Sequence, residues 1–258
     1  FGHAQIFDHM TMDGLEDAYN GEAMGIFAEK CVSKFGFTRE EQDAFAVSSL
    51  ERAQRAIKDG NFEDEIAPVT VKTRKGEVVC SIDEQPGKSV ADKISQMRPA
   101  FIKDGTVTAA NASSISDGAA ALVLTRLSVA EKLGMKPLAT IHAHSTHSQE
   151  PEWFTTAPVG AINKLLAKVA WSKDDVDLFE INEAFACVTM VAMKELGLPH
   201  EKVNIHGGAC ALGHPIGASG ARIIVTLLGA LQTYGKRKGV AAICIGGGEA
   251  TAMAVELI

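Results

Sequence analysis

Two stretches near the C-terminal end carry residue types that move protons and polarise carbonyls. They are Gly213-His214-Pro215-Ile216-Gly217-Ala218-Ser219-Gly220 and Cys244-Ile245-Gly246-Gly247-Gly248. An imidazole titrates near neutrality and suits general acid–base work. A thiol can relay a proton or attack a carbon. Glycines let the backbone approach a ligand and offer bare N–H groups to a developing oxyanion. One base, one thiol and free N–H donors form a set suited to thioester chemistry. Asn182 is a further candidate. It follows the run Asp177–Ile181, where its side chain either caps a helix beginning near Glu183 or faces the site.

These groups need elements to hold them. From residue 117 onward, β-rich apolar runs alternate with helical patterns. The runs are Ala119–Thr125, Leu138–Ala143, Val176–Ile181, Val203–His206, Gly239–Ile245 and Ala250–Leu257. Helices are expected near 128–134, 158–169, 184–197 and 218–234. The order predicts an α/β fold, a βαβαβαββ half with a mostly parallel five-stranded sheet and an antiparallel final hairpin. Ligands of such sheets bind beyond the carboxyl ends of the strands, where Asn182, Gly207 and Gly246 fall. Helix 218–234 is apolar nearly all round, which predicts a second layered half to cover it. Residues 1–116 read as a preceding helix-and-loop domain. Thr38-Arg39-Glu40-Glu41 is a capping box. Phe45, Ser49, Ala53, Ala56 and Ile57 form one helical stripe, and Gly60 is a stop. Residues 66–81 predict a hairpin around Lys75-Gly76, and 82–95 a polar loop.

Composition narrows the function classes. The 258 residues suffice for one large domain or two small ones, and 46% hydrophobic content supports a sizeable core. A net charge of -7 argues against a dedicated nucleic-acid surface. No run reaches roughly 20 consecutive apolar residues, so no membrane span is expected. The start Phe1-Gly2-His3 has neither an initiator Met nor a signal-peptide pattern, which suggests a truncated chain. Five cysteines without a CxxC argue against a disulfide framework or structural zinc and fit a reducing compartment. His142, His144 and His147 imitate a metal cluster, with His142 and His144 on one strand face. No acidic or cysteine ligand is fixed beside them, so a satisfied or exposed surface cluster is expected and no metal. Cys187 reads as core. Cys210 stands four residues before His214, which does not establish contact.

Four motifs in order resemble the thiolases, the acyl-CoA acetyltransferases. They are Asn111-Ala112-Ser113 with Asp117-Gly118-Ala119-Ala120, then Asn182-Glu183-Ala184-Phe185-Ala186, then the Gly-His-Pro stretch, then Cys-Ile-Gly-Gly-Gly. The similarity runs through all 258 residues. It implies a layered fold of two βαβαβαββ halves with a loop domain inserted in the first. Residues 1–116 then correspond to the loop domain and the end of the first half, and 117–258 to the C-terminal domain. It also implies that the N-terminal half with the nucleophilic cysteine is absent and that the chain alone is inactive. The implied reaction is Claisen condensation of acetyl-CoA, or CoA-dependent thiolysis of a 3-ketoacyl-CoA, through a cysteine acyl-enzyme.

The resemblance also assigns roles. His214 activates the nucleophilic thiol, and Cys244 exchanges a proton with incoming CoA or acetyl-CoA. The Gly246 N–H contributes to one oxyanion hole. Asn182 holds a water that joins His214 in a second, and Glu183 supports the site. Ser113 contacts the pantetheine arm, while Leu15, Met24, Ala100, Phe101, Ala184 and Phe185 line the CoA tunnel. Phe154 stands beside the acyl pocket. Coenzyme A is expected as substrate, with no tightly bound cofactor. The expected partners are acyl-CoA and CoA, the missing half, and further copies in a homodimer or homotetramer. The expected location is a bacterial cytoplasm or a mitochondrial or peroxisomal matrix. One departure is Ala23 in Glu22-Ala23-Met24-Gly25, where the family has a His. A ketoacyl synthase shares the fold, but Cys-Ile-Gly-Gly-Gly favours a thiolase. A non-catalytic CoA or lipid binder agrees with Ala23 but not with intact His214, Asn182 and Cys244.

Overall fold

A computed structural model describes residues 1–258. In chain order the elements are α1 (Met24–Phe35), α2 (Arg39–Lys58), β1 (Val69–Thr73), β2 (Gly76–Cys80), α3 (Glu84–Lys88), α4 (Leu127–Lys132) and β3 (Ala139–Ser148). There follow α5 (Ala157–Val169), β4 (Leu178–Ile181), α6 (Ala186–Leu196), α7 (Ala209–Leu212), α8 (Ile216–Thr233), β5 (Lys238–Ile245) and β6 (Glu249–Leu257). A π-helical turn spans Thr11–Leu15.

The main sheet has the order β3-β6-β5-β4. β4 and β5 are parallel, while β6 is antiparallel to both β5 and β3. The expected mostly parallel five-stranded sheet is therefore a mixed, four-stranded one. Three strands share a direction, but the C-terminal strand inserts between two of them. Period-two alternation along the strands builds the two faces. Phe179, Ile181, Val240, Ala242, Ala250, Ala252 and Ala254 pack under α5 with Ile162 and Leu165. Leu178, Ala241 and Val255 face α8 through Ile223, Leu227 and Leu231.

Two expected strands do not form. Residues 119–125 have no strand partner, and Val123 is 87% exposed. The run Val203–His206 makes one isolated bridge, Phe179 to Val203. Asn204 turns left-handed at φ 49°. Its side chain accepts from the Ile181 N–H (2.8 Å) and donates to the Ile181 carbonyl (2.8 Å). An amide side chain thus does for Ile181 what a neighbouring strand backbone would do.

The expected α8 begins earlier, at Ile216. It is long and apolar enough by composition to cross a bilayer, yet its Ile223, Leu227 and Leu231 are core residues of this fold. Burial on every side does not occur within the chain: Ile224, Val225 and Leu228 are only half-buried.

In the first 116 residues, Thr38 caps α2 as expected. Its Oγ1 accepts from the Glu41 N–H, and the Glu41 carboxylate accepts from the Thr38 N–H (2.8 Å). Phe45, Ser49, Ala53 and Ala56 are buried, and Gly60 follows the helix at φ +74°. β1 and β2 form the expected hairpin. Segment 82–95 is more ordered than a loop. It contains α3 and the start of a 3-10 turn, Ala91–Gln96, with Gln54 Nε2 donating to the Pro86 carbonyl.

Candidate active site

The end of β4 and the start of α8 bring the two central polar side chains together. Asn182 continues β4, its N–H bonded to the Ala242 carbonyl of β5 at 2.9 Å. His214 precedes α8, its N–H bonded to the Ser114 carbonyl at 3.1 Å. Asn182 Nδ2 and His214 Nε2 are 3.3 Å apart. Asn182 is 1% exposed, and its Oδ1 has no partner. It is not a helix cap, because α6 starts at Ala186 with Phe185 at the N-cap. Its remaining acceptor is thus free for a ligand or a water. Burial, and then Arg222, push the His214 ring down to about 4, so the ring is neutral at pH 7 and able to accept a proton.

Cys244 lies on β5, two residues beyond Ala242, the residue bonded to Asn182. Burial pushes its thiol up to about 12. The strand then ends in the turn Gly246-Gly247-Gly248. Gly248 has φ +91°, and a Cβ there would overlap the Gln149 carbonyl, so the turn requires glycine. Gly246 is exposed. A Cβ on it would lie 3.0 Å from Met24 Sδ, which places α1 against this turn.

The expected tunnel residues divide into two groups. Met24, Phe154, Phe185 and Cys244 share one core cluster. Phe27 meets Phe154 edge-on at 6.3 Å, and Phe101 meets Phe185 at 6.0 Å. Gly25 admits the Phe101 ring, which any Cβ would strike. Ser113 joins Ala184 twice: its N–H and its Oγ both donate to the Ala184 carbonyl (3.0 and 2.9 Å). Leu15 is half-buried and Ala100 is exposed, away from that cluster. Ala23 is the N-cap of α1 and makes no side-chain hydrogen bond there.

The other cysteines and histidines are accounted for differently. Cys210 is held against Glu183, whose carboxylate accepts from its N–H at 3.1 Å. Burial and then the Glu183 charge raise its thiol well above the usual range. Cys31 and Cys187 are sealed in the core, and Cys80 is exposed on β2. His142 gains an acidic partner that the sequence did not indicate, Glu256 Oε2 at 2.9 Å. A bulge between Ile141 and Ala143 breaks the alternation expected of these histidines. No group of three or more His, Cys, Asp or Glu is placed to hold a metal ion.

Sequence reasoning saw Glu183 only as support and missed the partners through which it acts. It is 1% exposed and accepts from Ser49 Oγ (2.7 Å), Asn204 Nδ2 (2.8 Å) and the Cys210 N–H. Ser49 Oγ in turn accepts from the Gly208 N–H at 2.9 Å. One carboxylate therefore ties α2, the 204–213 loop and the segment bearing Asn182 together. Ser49 was legible only as part of a core stripe, and Asn204 carried no signal. Ser219, bonded to His214 Nδ1 at 2.6 Å, stands inside the motif that singled out His214.

Comparison with known proteins identifies the family. The family model for the thiolase N-terminal domain matches residues 1–128, and that for the thiolase C-terminal domain matches 135–257. An acetyl-CoA acetyltransferase of Chromobacterium violaceum is 51% identical over 257 residues, 99% of this chain and 66% of that protein. A probable acetyl-CoA acyltransferase of Staphylococcus aureus is 48% identical over 98% of this chain and 65% of its own length. The crystal structure of the Bacillus anthracis acetyl-CoA acetyltransferase superposes with a TM-score of 0.96 at 45% identity, over all of this chain and 66% of that one. The Acat5 thiolase of Ascaris suum, solved in complex with coenzyme A, gives 0.88 at 40% identity, again over 100% and 66%. The chain thus spans about two thirds of the length of these relatives. The match over residues 1–128 shows N-terminal-domain sequence in this chain, so it does not support the expectation that this half is absent, nor by itself that of an inactive chain. With both domain models matched in order along almost its whole length, the chain belongs to the thiolase family.

Proposed function

We propose that this thiolase is an acyl-CoA acetyltransferase. It catalyses Claisen condensation of acetyl-CoA, or CoA-dependent thiolysis of a 3-ketoacyl-CoA, through a cysteine acyl-enzyme. The observation that carries the reading is the meeting of Asn182 and His214 at 3.3 Å, beside the strand that bears Cys244. The acetyltransferase activity for which the Chromobacterium and Bacillus relatives are named supports the reaction class. The coenzyme A bound to the Ascaris relative supports CoA as substrate.

In this reading the acyl-carrying thiol is none of the five cysteines. Cys31, Cys187 and Cys210 are sealed in the core, Cys80 is on the exposed hairpin, and Cys244 holds its proton to high pH. His214 Nε2 takes the proton of that thiol as it attacks acetyl-CoA. The departing CoA thiolate takes the Cys244 proton. The Cys244 thiolate then removes a proton from the methyl of the second acetyl-CoA. The resulting enolate oxygen is held by His214 and a water on Asn182, while the acyl oxygen faces the Gly246 N–H. Attack of the enolate on the acyl group releases acetoacetyl-CoA and expels the nucleophile as a thiolate, which recovers its proton from His214. Ser113, Met24, Phe101, Ala184 and Phe185 guide the pantetheine arm in this scheme. Assembly as a homodimer or homotetramer in a reducing compartment belongs to the same proposal.

The test is Cys244→Ala in the full-length enzyme. Loss of a positioned acid–base group lowers condensation and thiolysis by about 10²–10⁴-fold. Wild-type rates in both directions would remove Cys244 from the chemistry.

A further inference from the structure

One placement of the His214 ring proton satisfies all the contacts around the ring together. Ser219 is fully buried in the first turn of α8. Its Oγ lies 2.6 Å from His214 Nδ1 and 3.1 Å from the Pro215 carbonyl oxygen. The Pro215 carbonyl can only accept, and it also takes the Ala218 and Ser219 N–H. Both Ser219 contacts are made at once when the hydroxyl proton points to Pro215 and a lone pair faces Nδ1, which then carries the ring proton. On the opposite edge, Asn182 Nδ2 has only hydrogens to offer Nε2 across 3.3 Å. Nε2 therefore presents its lone pair. Two partners on different elements, one in α8 and one at the end of β4, fit the same tautomer.

We propose that Ser219 is a positioning residue: it holds His214 as the Nδ1–H tautomer, with the Nε2 lone pair on the Asn182 edge of the ring. A neutral imidazole in solution can place its proton on either nitrogen, and only one form leaves Nε2 basic. When Nε2 takes a thiol proton, the Nδ1–H···Ser219 bond persists, and no second proton has to move. The catalytic use of the tautomer rests on the reading of His214 as a base. The tautomer itself is a property of the folded chain.

The experiment is nitrogen-15 NMR of the 258-residue chain labelled at histidine, at pH 7, with His214→Gln to assign the ring signals. The wild-type ring is expected to show a protonated Nδ1 and an unprotonated, pyridine-like Nε2. Ser219→Ala should shift the tautomer ratio about tenfold toward Nε2–H, the worth of one net hydrogen bond. Ser219→Thr, which keeps the hydroxyl, should restore it. A wild-type ring protonated at Nε2, or an unchanged ratio in Ser219→Ala, overturns the proposal. If Ser219→Ala does not fold, the wild-type spectrum still overturns it whenever Nε2 carries the proton. In the full-length enzyme, Ser219→Ala is expected to lower kcat about tenfold while KM for acetyl-CoA stays within about twofold. Failure of the functional reading looks different: His214→Gln would keep wild-type turnover although the wild-type tautomer is Nδ1–H.

Discussion

Asn182 has one side-chain polar atom engaged and one free. Its Nδ2 reaches His214 Nε2, and its Oδ1 is buried without a partner. A buried acceptor left empty costs on the order of 1–3 kcal/mol, so the site gains when a ligand or water fills it. Asn182→Ala removes both the contact to His214 and this acceptor. In the full-length enzyme, condensation should fall about 10²–10³-fold, the usual effect of removing one oxyanion donor. Steady-state rates within twofold of wild type would show that Asn182 only packs. The residue type and its place after an apolar run were legible in the sequence. The choice between helix cap and site residue was not, because it depends on α6 starting at Ala186 rather than near Glu183.

At the scale of elements, α2 is the strut of the site although it bears none of the expected catalytic groups. Ser49 on α2 links the Glu183 carboxylate to the Gly208 N–H, and Arg52 Nη1 donates to the Val203 carbonyl at 2.7 Å. The capping box at Thr38 holds the first turn of this helix. Thr38→Ala should lower stability by about 1 kcal/mol, with a range of roughly 0.5–2. Urea unfolding with an unchanged m-value is the measurement, and an unchanged midpoint would deny the cap its role. The capping box could be read from four consecutive residues because its two hydrogen bonds are local. The bond from Ser49 to Glu183 crosses 134 positions of sequence, and no local pattern announces it.

At the scale of the whole molecule, buried titratable groups set how stability varies with pH. Burial pushes Glu180 to about 8 and Glu65 to about 7, from an ordinary value of 4.5, partly offset by Arg222 for Glu180 and by Thr226 and Arg222 for Glu65. A carboxyl whose folded pKa is raised contributes stability that is full below about 4.5 and is lost as pH rises through 7 to 8. His200, His206 and His214 run the other way. Each is pushed from 6.5 to about 4, chiefly by burial. Their contribution is full above 6.5 and is lost as pH falls through 4. Stability should therefore peak at mildly acidic to neutral pH. In Glu180→Gln, which cannot ionise, the fall in Tm between pH 5 and 8.5 should shrink. Thermal unfolding across that range checks it, and an equally steep fall in the variant would place the titration elsewhere.

The sequence by itself determined the residue types of the site, the helical and strand periods, the α2 cap and the hairpin around Lys75-Gly76. Each depends on neighbours within a turn or a strand. Only the tertiary structure decided that β6 lies between β3 and β5 and that residues 119–125 stay unpaired. It also decided that Asn204 replaces a strand and that Ser219 and Asn182 grip opposite edges of His214. The physical reason is the same throughout. Strand order and side-chain hydrogen bonding are set by which groups lack a partner once the core has closed, and that deficit is created by contacts between distant parts of the chain.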